Sequence, residues 1–227
     1  MNSPSSSPAR ATWTARPASA SPEKVSQLTP ARVDGQWTPL VQHWVKGGTE
    51  PAFQPGWARI SWNQDSLVYD IVLTGAGARN SATRTNELTY DLGDVCEVFV
   101  EAQGGNHYLE LHITPENQRL QLHWPLGGLD KVRAKQAKLD EFMVSNPDWV
   151  RTTTQVGSDY WAAQAVVPAA LLGLPGNTLT AKTGLNTAVC RYDYTAQKKP
   201  TLSSTAAFQE LFFHRRAEWH NLVLLPS

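Results

Sequence analysis

Cysteine is nearly absent: Cys96 and Cys190 are the only two in 227 residues. Two thiols without metal-type spacing exclude a disulfide scaffold and a cysteine metal site. Buried free thiols are expected, with a single bridge between strands as the alternative. Charge of one sign is lacking too, since twenty Lys plus Arg balance twenty Asp plus Glu. Without a basic surplus nothing grips a phosphate backbone, so nucleic acid is not an expected partner. No apolar run reaches the roughly 18 residues of a membrane span, and no membrane partner is expected. The opening MNSPSSSPARA lacks the apolar stretch of a signal peptide, which suits either a cytoplasmic protein or a processed form. GxSxG, HExxH and phosphate-loop motifs are missing, as are heptads and internal repeats.

What is present is β-periodicity. Gly93 to Trp124 reads GDVCEVFVEAQGGNHYLELHITPENQRLQLHW, with apolar and polar residues alternating. Because strand side chains point alternately to opposite faces, Cys96, Val98, Val100, Leu109, Leu111, Ile113, Leu120 and Leu122 form the expected core face. Glu97, Phe99, Glu101, Tyr108, Glu110, His112, Gln121 and His123 form the other. If the Pro115 loop sets Thr114 opposite Arg119, His112 faces Gln121 and Glu110 faces His123. A slip of one residue would instead set His112 against Leu120.

Elsewhere, residues 1–10 are Ser- and Pro-rich and read as a disordered or linker segment. Residues 11–227 fit one domain. Ala11 to Ala18 suggests an edge strand, because it carries Pro17. Ala58 to Asn63 and Leu67 to Thr74 read as a hairpin, and Gly75 to Asp91 as a long loop. Leu129 to Met143 is the one convincing helical stretch. Trp149 to Val156, Asp159 to Val167, Thr178 to Tyr194 and Trp219 to Leu225 read as further strands. The fold class expected is all-β, a two-sheet antiparallel sandwich with one short helix. Among nine tryptophans, Trp37, Trp57, Trp62 and Trp161 read as core.

The order of these segments resembles the family 9 carbohydrate-binding modules and the wider family-9-like (DOMON-like) sandwiches, over about residues 11–226. Carrying the resemblance are Val33-Asp34-Gly35 with Trp37, the hairpin from Trp62-Asn63 to Tyr69-Asp70, and Gly93 to Phe99. Tyr108 to Pro115, Tyr160-Trp161 to Val167-Pro168, Gly184-Leu185-Asn186 to Arg191, and Phe213-His214 before Trp219 to Leu224 complete it. The resemblance implies non-catalytic binding of a carbohydrate, often structural calcium, and a glycan-degrading enzyme as partner. It also implies an extracellular or periplasmic location. Glu97 matches the family's sugar-bonding glutamate. The family's Arg and Asn on the next strand are replaced by Glu110 and His112, its first tryptophan has only Tyr90 nearby, and its second has no aromatic counterpart at Leu202-Ser203-Ser204-Thr205.

A sugar site needs a flat ring against the C–H face of a pyranose and planar polar groups at its edge. Glu97, Glu110, His112 and His123 are the candidates for the edge; Tyr90, Trp124 or Trp149 for the ring. Asn186 and Arg191 are further candidates, although their opposite parity keeps both from one pocket without a bulge, and Arg191 has Asp193 and Glu210 as alternative partners. The same Glu/His cluster also suits a metal such as zinc, or a hydrolase using Glu97 and Glu110 as its carboxylate pair. A haem would need an axial pair that Met143 alone does not supply.

Overall fold

In a computed structural model, which describes residues 10–19, 23–146, 148–194 and 199–226, the chain is mostly β with one short helix. The expectation of a disordered 1–10 segment falls, apart from Arg10, outside the described residues.

The strands are β1 (Thr12–Pro17), β2 (Thr38–Pro39), β3 (Gly56–Asn63), β4 (Ser66–Thr74), β5 (Val95–Ala102), β6 (His107–Ile113), β7 (Arg119–Pro125), β8 (Arg151–Val156), β9 (Tyr160–Pro168), β10 (Leu185–Asp193), β11 (Thr201–Ser204) and β12 (His220–Leu224). They form one curled open sheet in the order β7-β6-β5-β10-β12-β1-β3-β4-β9-β8, with β11 on β10 and β2 on β3.

β1 is a joint and not an edge, contrary to the sequence reading. Thr12 to Ala15 pair with β12 and Arg16 to Pro17 with β3, both in parallel, so the sheet is not purely antiparallel either. Pro17 is tolerated because it ends the strand, and Ala18 takes up the next hydrogen bond, to the Trp62 carbonyl at 2.7 Å. The two-sheet expectation thus becomes one hydrogen-bonded sheet whose halves meet at β1.

Both halves supply the main core. Cys96, Val98, Leu109, Leu111 and Ile113 on one side pack in a cluster with Ile60, Tyr69, Ile71, Leu73 and Trp161 from the other. Each such buried side chain contributes about 1.5–3 kcal/mol. Tyr69 and Thr187, both buried, share a hydrogen bond across it at 2.9 Å.

The opposite face of β5, β6, β7 and β10 is buried as well. Phe99, Tyr108, Leu120, Leu122, Trp124 and Cys190 form a second cluster with Phe208, Phe213 and Trp219 from the segment before β12. Sheet faces covered on both sides lose the polar alternation that marks a wet face. Leu120 and Leu122, expected in the first core, belong here. Cys96 and Cys190 lie in different clusters and are both free.

The helical stretch at 129–143 is shorter and broken. Helix α1 spans Gly128–Arg133, and Lys135 at φ 58 ends it. A 3-10 turn follows at Leu139–Phe142. The near-helical spacing of Val132, Leu139, Phe142 and Met143 reflects two short pieces folded onto the second cluster. The strand expected from Thr178 begins only at Leu185, because Thr180 and Thr183 close a turn first.

Candidate functional site

The register of β6 and β7 decides which side chains meet. Ile113 pairs with Arg119, His112 with Leu120, Glu110 with Leu122 and Tyr108 with Trp124. This is the one-residue slip away from the pairing expected of the sequence. Its cause is the turn: Asn117 adopts φ 62, its N–H bonds the Thr114 carbonyl at 2.9 Å, and Thr114 pairs with Gln118. Asparagine tolerates this left-handed conformation, so the ladder runs one step further than a loop of Pro115 to Gln118 allows.

On β5 and β6 the expected parity holds. Glu97 lies opposite His112 and beside Cys190, and Phe99 lies between Glu110 and Ala188. Glu97, Glu110 and His112 are 3%, 5% and 1% exposed, so this polar group is buried in an apolar cluster and must be paired.

Glu110 is fully engaged. Its Oε1 lies 2.7 Å from His112 Nε2, and its Oε2 accepts from Trp124 Nε1 at 2.6 Å. His112 Nδ1 meets the buried Thr89 hydroxyl at 3.1 Å, from a 3-10 turn at Thr89–Asp91. Glu97 has less. Its Oε1 is 3.3 Å from the same His112 Nε2, whose proton is already directed at Glu110. Among the described residues nothing else donates to Glu97.

Burial pushes the Glu97 carboxyl up from 4.5 to about 7, against the attraction of His112 and with a further push from Glu110. Burial would raise Glu110 as well, but the facing His214, the His112 hydrogen bond and the Trp124 indole hold it below its ordinary value. His214 is itself lowered by burial, so it is neutral at pH 7, and its Nε2 stands 3.8 Å from Glu110. Burial opposes the His112 charge, yet Glu97 and Glu110 outweigh it and raise its pKa.

Tyr108 is held protonated by burial and shares a hydrogen bond with His214 Nδ1 at 2.9 Å, while His214 Nε2 faces the cluster. Glu97, Glu110, His112, Trp124 and His214 line a pocket of about 340 Å³. Tyr90 leans over His112 with ring centroids 5.8 Å apart, and Trp124 stacks on Phe142 at 4.9 Å. The walls come from α1, the Leu139–Phe142 turn, Tyr192 and the Leu211 to His214 segment.

The structure therefore gathers Tyr90, Glu97, Glu110, His112 and Trp124, and leaves four candidates outside, among them Trp149, which packs against the main core with its ring 6.3 Å from that of His123. His123, displaced by the register slip, is exposed and lies beside His107 at 4.4 Å between ring centroids. Burial and His107 lower its pKa, and Glu110, expected opposite it, faces Leu122. Asn186 shares the face but donates to Glu101 at 2.8 Å away from the pocket. Arg191 points to the main-core side and donates to Thr74 O at 2.7 Å and Gln54 O at 3.3 Å, with Asp193 at 3.1 Å.

Sequence reasoning missed Tyr192, Phe212, Phe213 and His214 as pocket residues. Tyr192 was legible, two positions beyond Cys190 at Glu97-facing parity. Phe213-His214 enters the resemblance as a landmark only and Phe212 not at all, because a loop has no parity to read.

Calcium, implied by the resemblance, does not fit the cluster. Among the described residues the one group of three His, Cys, Asp or Glu ligand atoms is Glu97, Glu110 and His112, within 4.8 Å of one another. Calcium takes about six to eight oxygens, whereas this group includes an imidazole and a carboxylate already saturated.

No protein-family model matches the sequence, and no curated protein does. Solved structures do. A proposed carbohydrate-binding protein from Bacteroides uniformis superposes with a TM-score of 0.72 at 15% identity, covering 96% of this chain and 100% of the other. A family 9 carbohydrate-binding module from Caldicellulosiruptor kristjanssonii in complex with cellotriose gives 0.60 at 10% identity, over 94% of each chain. The chain has the family 9 fold. A family 9 module from the same organism in complex with glucose gives 0.58 at 11% identity, over 94% of this chain and 96% of that one. At these identities the family 9 likeness is one of backbone, and the site rests on the side chains described above.

The Glu97 charge has a stability consequence. Its folded pKa lies above the unfolded value near 4.5, so the folded state holds the extra proton and stability falls as pH rises from about 4.5 to 7. His112, with its raised pKa, adds a loss in the same direction at higher pH. Glu97→Gln is expected to flatten this decline and to stabilise the unliganded protein at pH 8 by about 1–3 kcal/mol, the scale of an unsatisfied buried group. Urea denaturation at pH 5, 6.5 and 8 measures it; an unchanged pH slope in the variant would refute the assignment.

Proposed function

We propose that the pocket binds a saccharide without transforming it, taking one sugar ring at the end of a mono- or oligosaccharide. The observation that carries this is Glu97, buried at 3% exposure and lining the pocket without a committed donor. A sugar hydroxyl supplies what the protein withholds. His214 Nε2 offers a hydrogen-bond partner to a neighbouring hydroxyl, and the rings of Tyr90, Tyr192, Trp124 and Phe213 offer apolar cover for C–H faces. The structural neighbours complexed with cellotriose and glucose support the reading. So does the position of Glu97 in the resemblance.

The reading includes a two-layer sandwich, supported by the core shared between the two halves of the curled sheet. It also includes secretion or periplasmic location and a glycan-degrading enzyme as partner. A glycan array tests it: at least one saccharide should bind saturably, and an array with no ligand at any pH between 5 and 8 would refute it.

A second reading, a transition-metal or hydrolytic site, is favoured by the ligand atoms of Glu97, Glu110 and His112 converging within 4.8 Å. One imidazole and two carboxylates suit zinc. Occupancy would cost Glu110 its bond to His112. Elemental analysis of the purified chain and reducing-sugar release from polysaccharides separate this reading from the first.

A further inference from the structure

We propose that the sugar this pocket prefers carries a protonated amine, seated on Glu97 beside the rings of Tyr90, Tyr192 and Phe213. The inference rests on the reading that the pocket takes a sugar. Glu110 and His112 form a closed ion pair at 2.7 Å, with the second Glu110 oxygen capped by Trp124. Their charges cancel, so Glu97 is the net charge of the pocket floor. It is 3% exposed, and its one polar contact among the described residues is a nitrogen whose proton is given elsewhere. A neutral hydroxyl would supply a hydrogen bond but no charge. An ammonium would supply both, and a buried carboxylate gains most from a charged donor.

The surrounding rings favour the same ligand. Tyr90 and Tyr192 have centroids 6.2 Å apart, and Tyr192 and Phe213 have centroids 5.7 Å apart, all three lining the pocket. Aromatic faces carry negative potential and attract a cation within about 6 Å. Among the described residues the one cation lining the pocket, Arg133, lies 4.1 Å over Phe212 on an exposed part of α1, where water screens it.

Calorimetric titration of the full chain at pH 7 with glucosamine, galactosamine and mannosamine, each beside its parent hexose and its N-acetyl form, tests the proposal. At least one amine is expected to bind ten-fold or more tightly than both neutral counterparts, and Glu97→Gln should bring that ratio close to one. Comparable affinities within every trio would overturn the amine preference while leaving sugar binding intact. A ratio that survives Glu97→Gln would also overturn it. Cyclohexylamine binding as tightly as the best hexosamine, or no sugar binding at all, would overturn both readings.

Discussion

Arg191→Met is expected to destabilise the protein by about 3–5 kcal/mol while leaving saccharide affinity unchanged, although sequence reading placed Arg191 among the ligand-binding candidates. Its guanidinium is fully buried beside Asp193, itself 2% exposed, and donates to the carbonyls of Gln54 and Thr74. It thereby ties β10 to the end of β4 and to the loop before β3. Methionine fills similar volume but removes the guanidinium charge from beside Asp193 and this donor from two carbonyls. Breaking a buried ion pair from one side costs about 3–5 kcal/mol because the remaining charge stays desolvated. Urea denaturation reads the loss, and a change below about 1 kcal/mol would show that the pairing is not what holds this region.

Glu110→Leu is expected to cost about 3 kcal/mol and to abolish ligand binding together. Leucine would leave the Trp124 indole N–H and the His112 ring, both buried, without their shared acceptor. Glu97 is the one carboxylate left near His112, so it would be drawn into that pairing and withdrawn from the ligand. This keeps the destabilisation at the lower end of the range for a broken buried pair. The acid limb provides an independent check. Glu110 has a folded pKa below its unfolded value, so its stabilisation is present above the unfolded pKa and lost as pH falls through the folded one. The wild type should lose stability on that acid limb more steeply than the variant. Parallel acid limbs would contradict the role assigned to Glu110.

The division of β5 and β6 into two faces was legible because Glu97, Glu110 and His112 alternate with apolar neighbours, whereas the burial of the second face was not. β7 was not. Leu120 and Leu122 alternate with Gln121 and His123 just as a core strand should, yet Leu120 and Leu122 lie on the site face. When both faces of a strand are covered, apolar parity no longer tells one from the other, and register falls to the turn. That turn depended on Asn117 entering a left-handed conformation, which sequence allows but does not require. The error carried His123 into the expected cluster, where Leu122 stands opposite Glu110 instead. Trp124 was expected only to border the site, yet it donates to Glu110 from the middle of it. The joint role of β1 was hidden for a different reason: Pro17 marks an edge locally, and nothing in Thr12 to Pro17 announces a partner on each side. His214 and the paired phenylalanines reach the pocket from a loop, where no periodicity points a side chain.

The central claim, that Glu97 in this pocket holds a sugar, is tested most directly by calorimetric titration of the best array ligand into the wild type and Glu97→Ala at one pH. The account predicts saturable binding to the wild type and a loss of about 1.5–3 kcal/mol in the variant, the scale of a hydrogen bond to a charged group. Equal affinity in the two proteins, with the fold of the variant intact by circular dichroism, would contradict it.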